Sequence, residues 1–362
     1  MMRYQNKKAT IKQNKKSKKP IGIDLFCGCG AMTEGFKRAG VNIIAAIDNN
    51  KSACATYQKN HPKVNLIQED IRKINPATFL NESVQKIDVI IVCAPCQPFS
   101  SQNKYKNADA RAMLVTEIIR FAENLSPEII VFENVSGLIS GIGHPILKAI
   151  KSKLSKLKYN LGNPQVIDAA DYLVPQRRRR CIMFATKNSA IPQLLSPVRP
   201  NGKYKTVRDA IGDLKSLKSG QKSAYDLLHY ARTHTANALK RMEYIPKNGG
   251  NRFALPARLE LKCHKGKKSF PDVYGRMNWN MVAPTLTTGC TDITRGRFMH
   301  PRDNRAITLR EAARLQTFPD NYKFIGSTKE IATQIGNAVP VLLAKAIGLA
   351  TIKSLKSKNG DN

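Results

Sequence analysis

Acidic residues are scarce in this chain. Only 26 Asp and Glu stand against 60 Lys and Arg among 362 residues, a formal net charge of +34. Such an excess argues against a small neutral substrate and points to a polyanion, nucleic acid before an anionic membrane. No stretch is read as approaching the roughly 20 apolar residues of a membrane span, and the Lys-rich N-terminus lacks the apolar segment of a secretory signal. Partners for a metal are missing too. Cys93-x-x-Cys96 and Cys27-x-Cys29 have no Cys or His at a usual ligand spacing, so no metal is expected. The eight cysteines fit reduced intracellular thiols better than a disulfide framework. Internal repeats are absent.

What remains is a strong α/β pattern. Residues 1–19 carry eight Lys and Arg and no acid, the composition of a disordered basic arm. The arm can touch phosphates or remain a solvated tail. A short apolar strand, Ile21 to Phe26, then runs into Cys27-Gly28-Cys29-Gly30 and a helix from Ala31 to Ala39 that stops at Gly40. Strand, glycine turn and helix begin a nucleotide-type unit. A second strand, Val41 to Ile47, ends at Asp48, about 20 residues after the glycines, where a ribose-binding carboxylate belongs. The third glycine of G-x-G-x-x-G, which packs a helix under a pyrophosphate, is not there. A cofactor with a ribose and no phosphate, such as S-adenosyl-L-methionine, fits better than a dinucleotide. A third strand, Val64 to Ile67, ends at Glu69-Asp70, and Asp70 reads as an adenine contact or as a helix N-cap.

A fourth strand, Ile87 to Val92, leads to Cys93-Ala94-Pro95-Cys96-Gln97-Pro98. The prolines take the chain out of the sheet and hold Cys96 in a stiff loop past a strand end, where open α/β sheets bind ligands. Cys96 is therefore a candidate nucleophile. Leu114, Ile118, Phe121, Ala122 and Leu125 share one helical face. Glu128 to Phe132 forms another strand that ends at Glu133-Asn134-Val135 and offers Glu133 as a candidate acid. Gln176-Arg177-Arg178-Arg179-Arg180 runs into the strand Cys181 to Ala185. Alternation puts Arg178 and Arg180 on one face, aimed at a site.

The composition breaks at Thr186. Residues 187–268 hold 18 Lys and Arg against 5 Asp and Glu, with frequent Pro, Gly and Asn and poor helical periodicity. This reads as a smaller, irregular, basic domain. A capped helix follows over Thr308 to Gln316. Gln334-Ile335-Gly336-Asn337-Ala338-Val339-Pro340 opens a long apolar helix to about Ser354.

Taken together, these blocks resemble the cytosine-C5 DNA methyltransferases of the stand-alone bacterial type. The resemblance rests on Asp24-Leu25-Phe26-x-Gly28-x-Gly30, Pro95-Cys96-Gln97-x-Phe99-Ser100, Glu133-Asn134-Val135, Gln176-x-Arg178-x-Arg180, Arg310-Glu311-Ala312-Ala313-Arg314-Leu315-Gln316 and Gln334-x-Gly336-Asn337-x-Val339. It covers Ile21 to about Ala350 in the family's order. Ala31 stands where a further Gly is common, and Ala94 where Pro or Phe is common, so the departures touch local loop shape.

The resemblance implies an S-adenosylmethionine-dependent, Rossmann-like sheet domain with a smaller target-recognition domain. It implies that residues 20–186 and 330–355 form the first and 187–329 the second, with base-reading in about 187–298. Phe26, Gly28, Gly30, Asp48, Asp70, Ile71, Leu114, Asn337 and Val339 would bind the cofactor. Cys96 would attack cytosine, and Glu133, Arg178 and Arg180 would hold the flipped base. Gln97, Ser100, Asn134 and Gln176 would lie along the substrate. The partner would be double-stranded DNA, met by a monomer without an obligatory protein partner in a bacterial cytoplasm and away from membranes, with a restriction enzyme as its counterpart. Methylation of transfer RNA by a relative of the same family, and of a free pyrimidine nucleotide by a metabolic enzyme, are the competing readings. The long basic region before Arg295 favours DNA. A relative that binds DNA without catalysis would not need Cys96, Glu133 and Arg180 together.

Overall fold

The computed structural model describes residues 19–95, 110–140, 143–196 and 202–358. The basic arm therefore lies almost wholly outside the described residues, and so does the loop carrying Cys96, Gln97 and Ser100.

The first half alternates as the sequence predicts. β1 (Ile21–Leu25) leads to α1 (Ala31–Ala39), β2 (Asn42–Asp48) to α2 (Lys51–Asn60), and β3 (Asn65–Gln68) through short turns to β4 (Val89–Val92). α3 (Ile118–Leu125), β5 (Ile129–Asn134) and α4 (Gly143–Lys156) follow, then β6 (Asn160–Leu161), β7 (Gln165–Asp168) and β8 (Arg179–Thr186). The strands make one sheet in the order β3-β2-β1-β4-β5-β8-β6, with β7 also on β8. The first five are parallel, and β8 runs antiparallel to β5. Chain order reverses between β1 and β4, which opens a crevice at their C-terminal ends.

Alternation along the strands divides the core. Ile23, Leu25, Ile90, Val92, Ile130 and Phe132 face Ile118, Phe121 and Leu125 of α3 and Leu147, Ile150 and Leu154 of α4. Ile43, Val89, Ile91, Ile129, Val131 and Phe184 face the opposite layer, which contains Met32 and Phe36 of α1 and Tyr57 of α2. Both faces are covered, so the central strands are apolar without interruption.

The second half holds α5 (Val207–Ile211), α6 (Ala236–Tyr244), α7 (Leu309–Leu315), α8 (Thr328–Asn337) and α9 (Val341–Lys358), with short 3-10 turns among them. α9 returns to the sheet, and its Leu343, Ala344 and Ile347 join the layer of α1. Gly35 makes this closeness possible, since a Cβ there would lie 2.4 Å from the Cβ of Ala344. α8 stands as a helix of its own, where the sequence predicts one helix continuing from Gln334. Its N-terminus is a capping box in which Ser327 and Glu330 satisfy each other's backbone N–H groups, and it is separated from α9 by Ala338-Val339-Pro340.

Contrary to the expectation that no stretch is long and apolar enough to cross a membrane, Thr328–Ser357 taken as one stretch is so by composition. It is interrupted at Pro340, and 67% of its apolar window is buried inside the protein. A third cluster joins Cys29 and Ala31 to Val207, Ile211, Leu309, Leu315 and Ile335. The packing thus runs across the composition break at residue 187. Met242, Ile245, Tyr274, Ile293 and Met299 form a fourth, smaller cluster within the segment 187–329.

Candidate active site

At the β1/β4 crevice lies a cavity of about 770 Å³, within the usual size range of small-molecule sites. Phe26, Gly28, Asp48, Asp70, Ile71, Leu114, Asn337 and Val339 line it, as do Glu133 and Arg180. Eight of the nine residues assigned to the cofactor are thereby brought together from five separate parts of the chain. Gly30 is the exception and lies behind the wall.

The turn after β1 is shaped by left-handed backbone at Phe26 (φ 60°), Gly28 (φ 54°) and Gly30 (φ 93°). Asp48 holds it from β2. One carboxylate oxygen accepts from Gly28 N–H at 2.9 Å and the other from Asn50 N–H at 2.8 Å. Burial pushes the Asp48 carboxyl above its ordinary pKa, and these backbone donors oppose that push. Asp70 accepts from the backbone and side chain of Arg72, bonds that lower its pKa to about 2, and it caps the short turn that begins at Ile71. Both the capping role and the place in the cavity wall are therefore met at Asp70.

Glu133 and Arg180 meet because β5 and β8 are antiparallel. Glu133 pairs with Ile182 in the register, so Arg180, two residues before Ile182, projects on the same face. Its Nε lies 2.9 Å from a Glu133 carboxylate oxygen, with both side chains about one-tenth exposed. Pro95 and Ala94 line the same cavity, so the chain reaches this wall immediately before Cys96. Asn134 fixes that approach by donating from Nδ2 to the carbonyl of Ala94 at 3.1 Å.

Arg178 and Gln176 are placed elsewhere. The expectation that Arg178 shares a face with Arg180 and aims into the site is corrected by the strand boundary. β8 begins at Arg179, and alternation does not extend to the residue before it. Arg178 is 2% exposed and donates to the carbonyls of Leu286 at 2.8 Å and Gly336 at 2.7 Å. Gln176 donates to Gln316 at 3.0 Å, and Gln316 in turn donates to the carbonyls of Ile335 and Ala338. These two residues tie the start of β8 to α7 and α8, which carry Asn337 to the cavity.

Sequence reasoning missed the rest of the α8 wall. Glu330, Thr333, Gln334 and Asn337 all line the cavity, and their spacing of three, four and seven is the signature of one helical face. The Ser327-x-x-Glu330 box was the available signal for that helix.

Three other thiols, Cys27, Cys29 and Cys181, are poor candidates for chemistry. Burial raises Cys29 to about 12 and Cys181 to about 11, and pushes Cys27 up as well. Nucleophilic attack needs the thiolate.

Comparison with known proteins agrees with this geometry. The family model for C-5 cytosine-specific DNA methylase matches residues 21–353. The Type II methylase M.HgiDII of Herpetosiphon aurantiacus is 36% identical over 345 residues, covering 92% of this chain and 94% of that one. The Type II methyltransferase M1.HphI of Haemophilus parahaemolyticus is 33% identical, covering 91% and 86%. Among solved structures, a protein described as a DNA modification methyltransferase encoded within an Escherichia coli prophage superposes with a TM-score of 0.73 at 24% identity, covering 93% of this chain and 99% of that one. The methyltransferase EhMeth of Entamoeba histolytica superposes with a TM-score of 0.64 at 18% identity. The fold is thus that of the methyltransferase sheet domain, and the chain belongs to the C-5 cytosine-specific DNA methylase family.

Proposed function

We propose that this DNA methylase moves a methyl group from S-adenosyl-L-methionine to C5 of a cytosine flipped out of a specific double-stranded sequence, through a covalent bond between Cys96 and C6. The observation that carries the reading is the single cavity in which the cofactor-type wall meets the buried Glu133–Arg180 pair and the strand end leading to Cys96.

The cavity suits the cofactor. Phe26, Ile71, Leu114 and Val339 offer apolar walls for an adenosyl group, and Asp48 and Asp70 offer carboxylates to its ribose hydroxyls and its amine. Bound there, the cofactor supplies an electrophilic methyl group. The rest falls to this chain. The Cys96 thiolate adds to C6, which turns C5 into an enamine-like nucleophile. Glu133, acting as the acid, delivers a proton to N3 and accepts from the exocyclic amine, and Arg180 donates to O2, so that the negative charge gained by the ring on thiolate addition is offset. After C5 takes the methyl group, a base removes its proton and Cys96 leaves. C5 is out of reach inside a duplex, hence the flipped base. Gln97 and Ser100, which follow the nucleophile in the sequence, contact the substrate, while Asn134, Gln176 and Arg178 hold the frame of the site. The segment 187–329 reads the sequence, with residues 238–306 as its self-packed part. The enzyme acts in the bacterial cytoplasm as a monomer and guards DNA from a cognate restriction enzyme, as the Type II names of its relatives suggest.

A duplex with 5-fluorocytosine at the target tests the chemistry. Fluorine cannot leave as a proton does, so elimination stalls after methyl transfer. The expected product is a denaturant-stable adduct, dependent on S-adenosylmethionine and mapping to the Cys96 peptide. Cys96→Ser loses adduct and methylation, whereas Cys93→Ser keeps both. An adduct on Cys93 or Cys181, or full activity in Cys96→Ser, refutes the mechanism.

A further inference from the structure

Gly30 carries the cofactor motif yet stands outside the cavity, and the reason lies behind it. A Cβ at Gly30 would come within 2.8 Å of the His61 ring and of the Tyr322 hydroxyl. His61 follows α2 and is fully buried. Tyr322 belongs to the segment between α7 and α8, far along the chain, and is 3% exposed. Neither residue lines the cavity or belongs to a motif that led to the function.

Their hydrogen bonds can be assigned by elimination. The Tyr322 hydroxyl donates its single proton to the Cys29 carbonyl at 2.5 Å. His61 Nε2 lies 3.2 Å from that hydroxyl oxygen and 3.3 Å from the Gly30 carbonyl. The carbonyl can only accept, and the hydroxyl has spent its proton, so Nε2 carries the hydrogen. Nδ1 is then the acceptor, and Lys37 Nζ, 3.4 Å away, is its donor. Burial lowers the His61 pKa to about 4, which agrees with a neutral ring. The result is a directed chain from Lys37 through His61 and Tyr322 to two consecutive carbonyls of the turn. On the other side of that turn Gly28 N–H is held by Asp48.

We infer that Tyr322 and His61 are positioning residues for the cofactor, a latch that fixes the peptide planes of Cys29 and Gly30 and so sets the shape of the turn against which the cofactor lies. This rests on the cofactor assignment above. Phe26, Gly28 and Gly30 occupy left-handed backbone, a conformation with little intrinsic preference for one arrangement when glycine supplies it. The latch provides the preference. Because Tyr322 arrives from beyond the basic region, it also makes the turn's shape depend on how the segment between α7 and α8 is seated.

The test measures S-adenosylmethionine dissociation by calorimetry, together with KM for cofactor and for DNA, in the full chain and in Tyr322→Phe, His61→Leu and His61→Gln. Tyr322→Phe removes one oxygen and should raise the cofactor Kd about tenfold, the factor for one ordinary hydrogen bond, while KM for DNA stays within about twofold. His61→Leu should do the same. His61→Gln, whose amide offers an N–H donor near the position of Nε2, should restore the cofactor Kd to within about threefold of wild type. Tyr322→Phe with wild-type cofactor affinity overturns the latch, as does a parallel rise in KM for cofactor and DNA, which would mark general loosening. Should His61→Leu fail to fold, Tyr322→Phe and His61→Gln decide the matter. Wild-type protein that binds no S-adenosylmethionine would instead sink the cofactor assignment.

Discussion

A methyl group added at Gly336 probes the joint on which the cofactor wall hangs. Gly336 lies in α8 beside Asn337. A Cβ there would sit 2.4 Å from the carbonyl carbon and oxygen of Thr287 and 2.6 Å from the nitrogen of Thr288. These are backbone atoms and cannot swing aside as a side chain can. Reaching ordinary contact at 3.4 Å requires helix and loop to part by about 1 Å. The Gly336 carbonyl accepts from Arg178 at 2.7 Å, and a shift of that size weakens this bond at a guanidinium that is 2% exposed. Overpacking costs about 1–3 kcal/mol and a weakened charged hydrogen bond about 1.5–3. Alanine's better helix propensity returns about 1. Gly336→Ala should therefore destabilise by about 2–5 kcal/mol. At roughly 2 °C per kcal/mol for a chain of this size, the melting temperature should fall by about 4–10 °C. Displacement of Asn337 should also weaken S-adenosylmethionine binding, seen as a smaller rise in melting temperature when the cofactor is added. Arg178→Met should cost less in the Gly336→Ala background than alone, because both changes break one contact. A variant that melts within a degree of wild type and binds cofactor equally well would refute the reasoning.

Two further outcomes follow from buried charge. Arg180→Met strands the Glu133 carboxylate, whose partner lies at 2.9 Å. It should lower stability by about 3–5 kcal/mol and abolish methylation, and a native-like denaturant midpoint would argue against the pair. Asp24 is fully buried under the cofactor turn, and burial raises its pKa to about 7 against the pull of the Thr33 hydroxyl. A raised carboxylate favours folding while it stays neutral, so its contribution is complete below pH 3.8 and lost as pH climbs to 7. Wild-type stability should fall across that window relative to Asp24→Asn, and parallel pH profiles would contradict the assignment.

The sheet was legible in the sequence because each parallel strand is a short apolar run closed by a glycine, an acid or a proline, and the cofactor residues sit at those closures. α4 was not read, since its lysines obscure Leu147, Ile150 and Leu154, which mark its buried face. α8 merged with α9 in the reading because Ile335 and the apolar run after Pro340 look continuous until the Ser327 cap is noticed. The meeting of Glu133 with Arg180 depends on β8 running antiparallel beside β5, a choice of direction that no local pattern encodes. The same applies to Arg178, where one residue of strand boundary decides between a site and a strut. The basic region was read as irregular, and it does hold short helices, α5 and α6, whose few apolar residues serve small clusters.

The seating of α9 on α1 has a consequence for synthesis. The last strand of the sheet ends at Thr186, whereas α9 begins at Val341, more than 150 residues later. At about 5–20 residues per second, the ribosome takes roughly 10–30 seconds to deliver it. During that interval the small-residue seam of α1, around Gly35, lacks the cover that Ala344 and its neighbours in α9 later provide. The nascent sheet is then a ready client for a holding chaperone, and a messenger cut short before Val341 yields an adhesive fragment in which α1 lacks its partner helix.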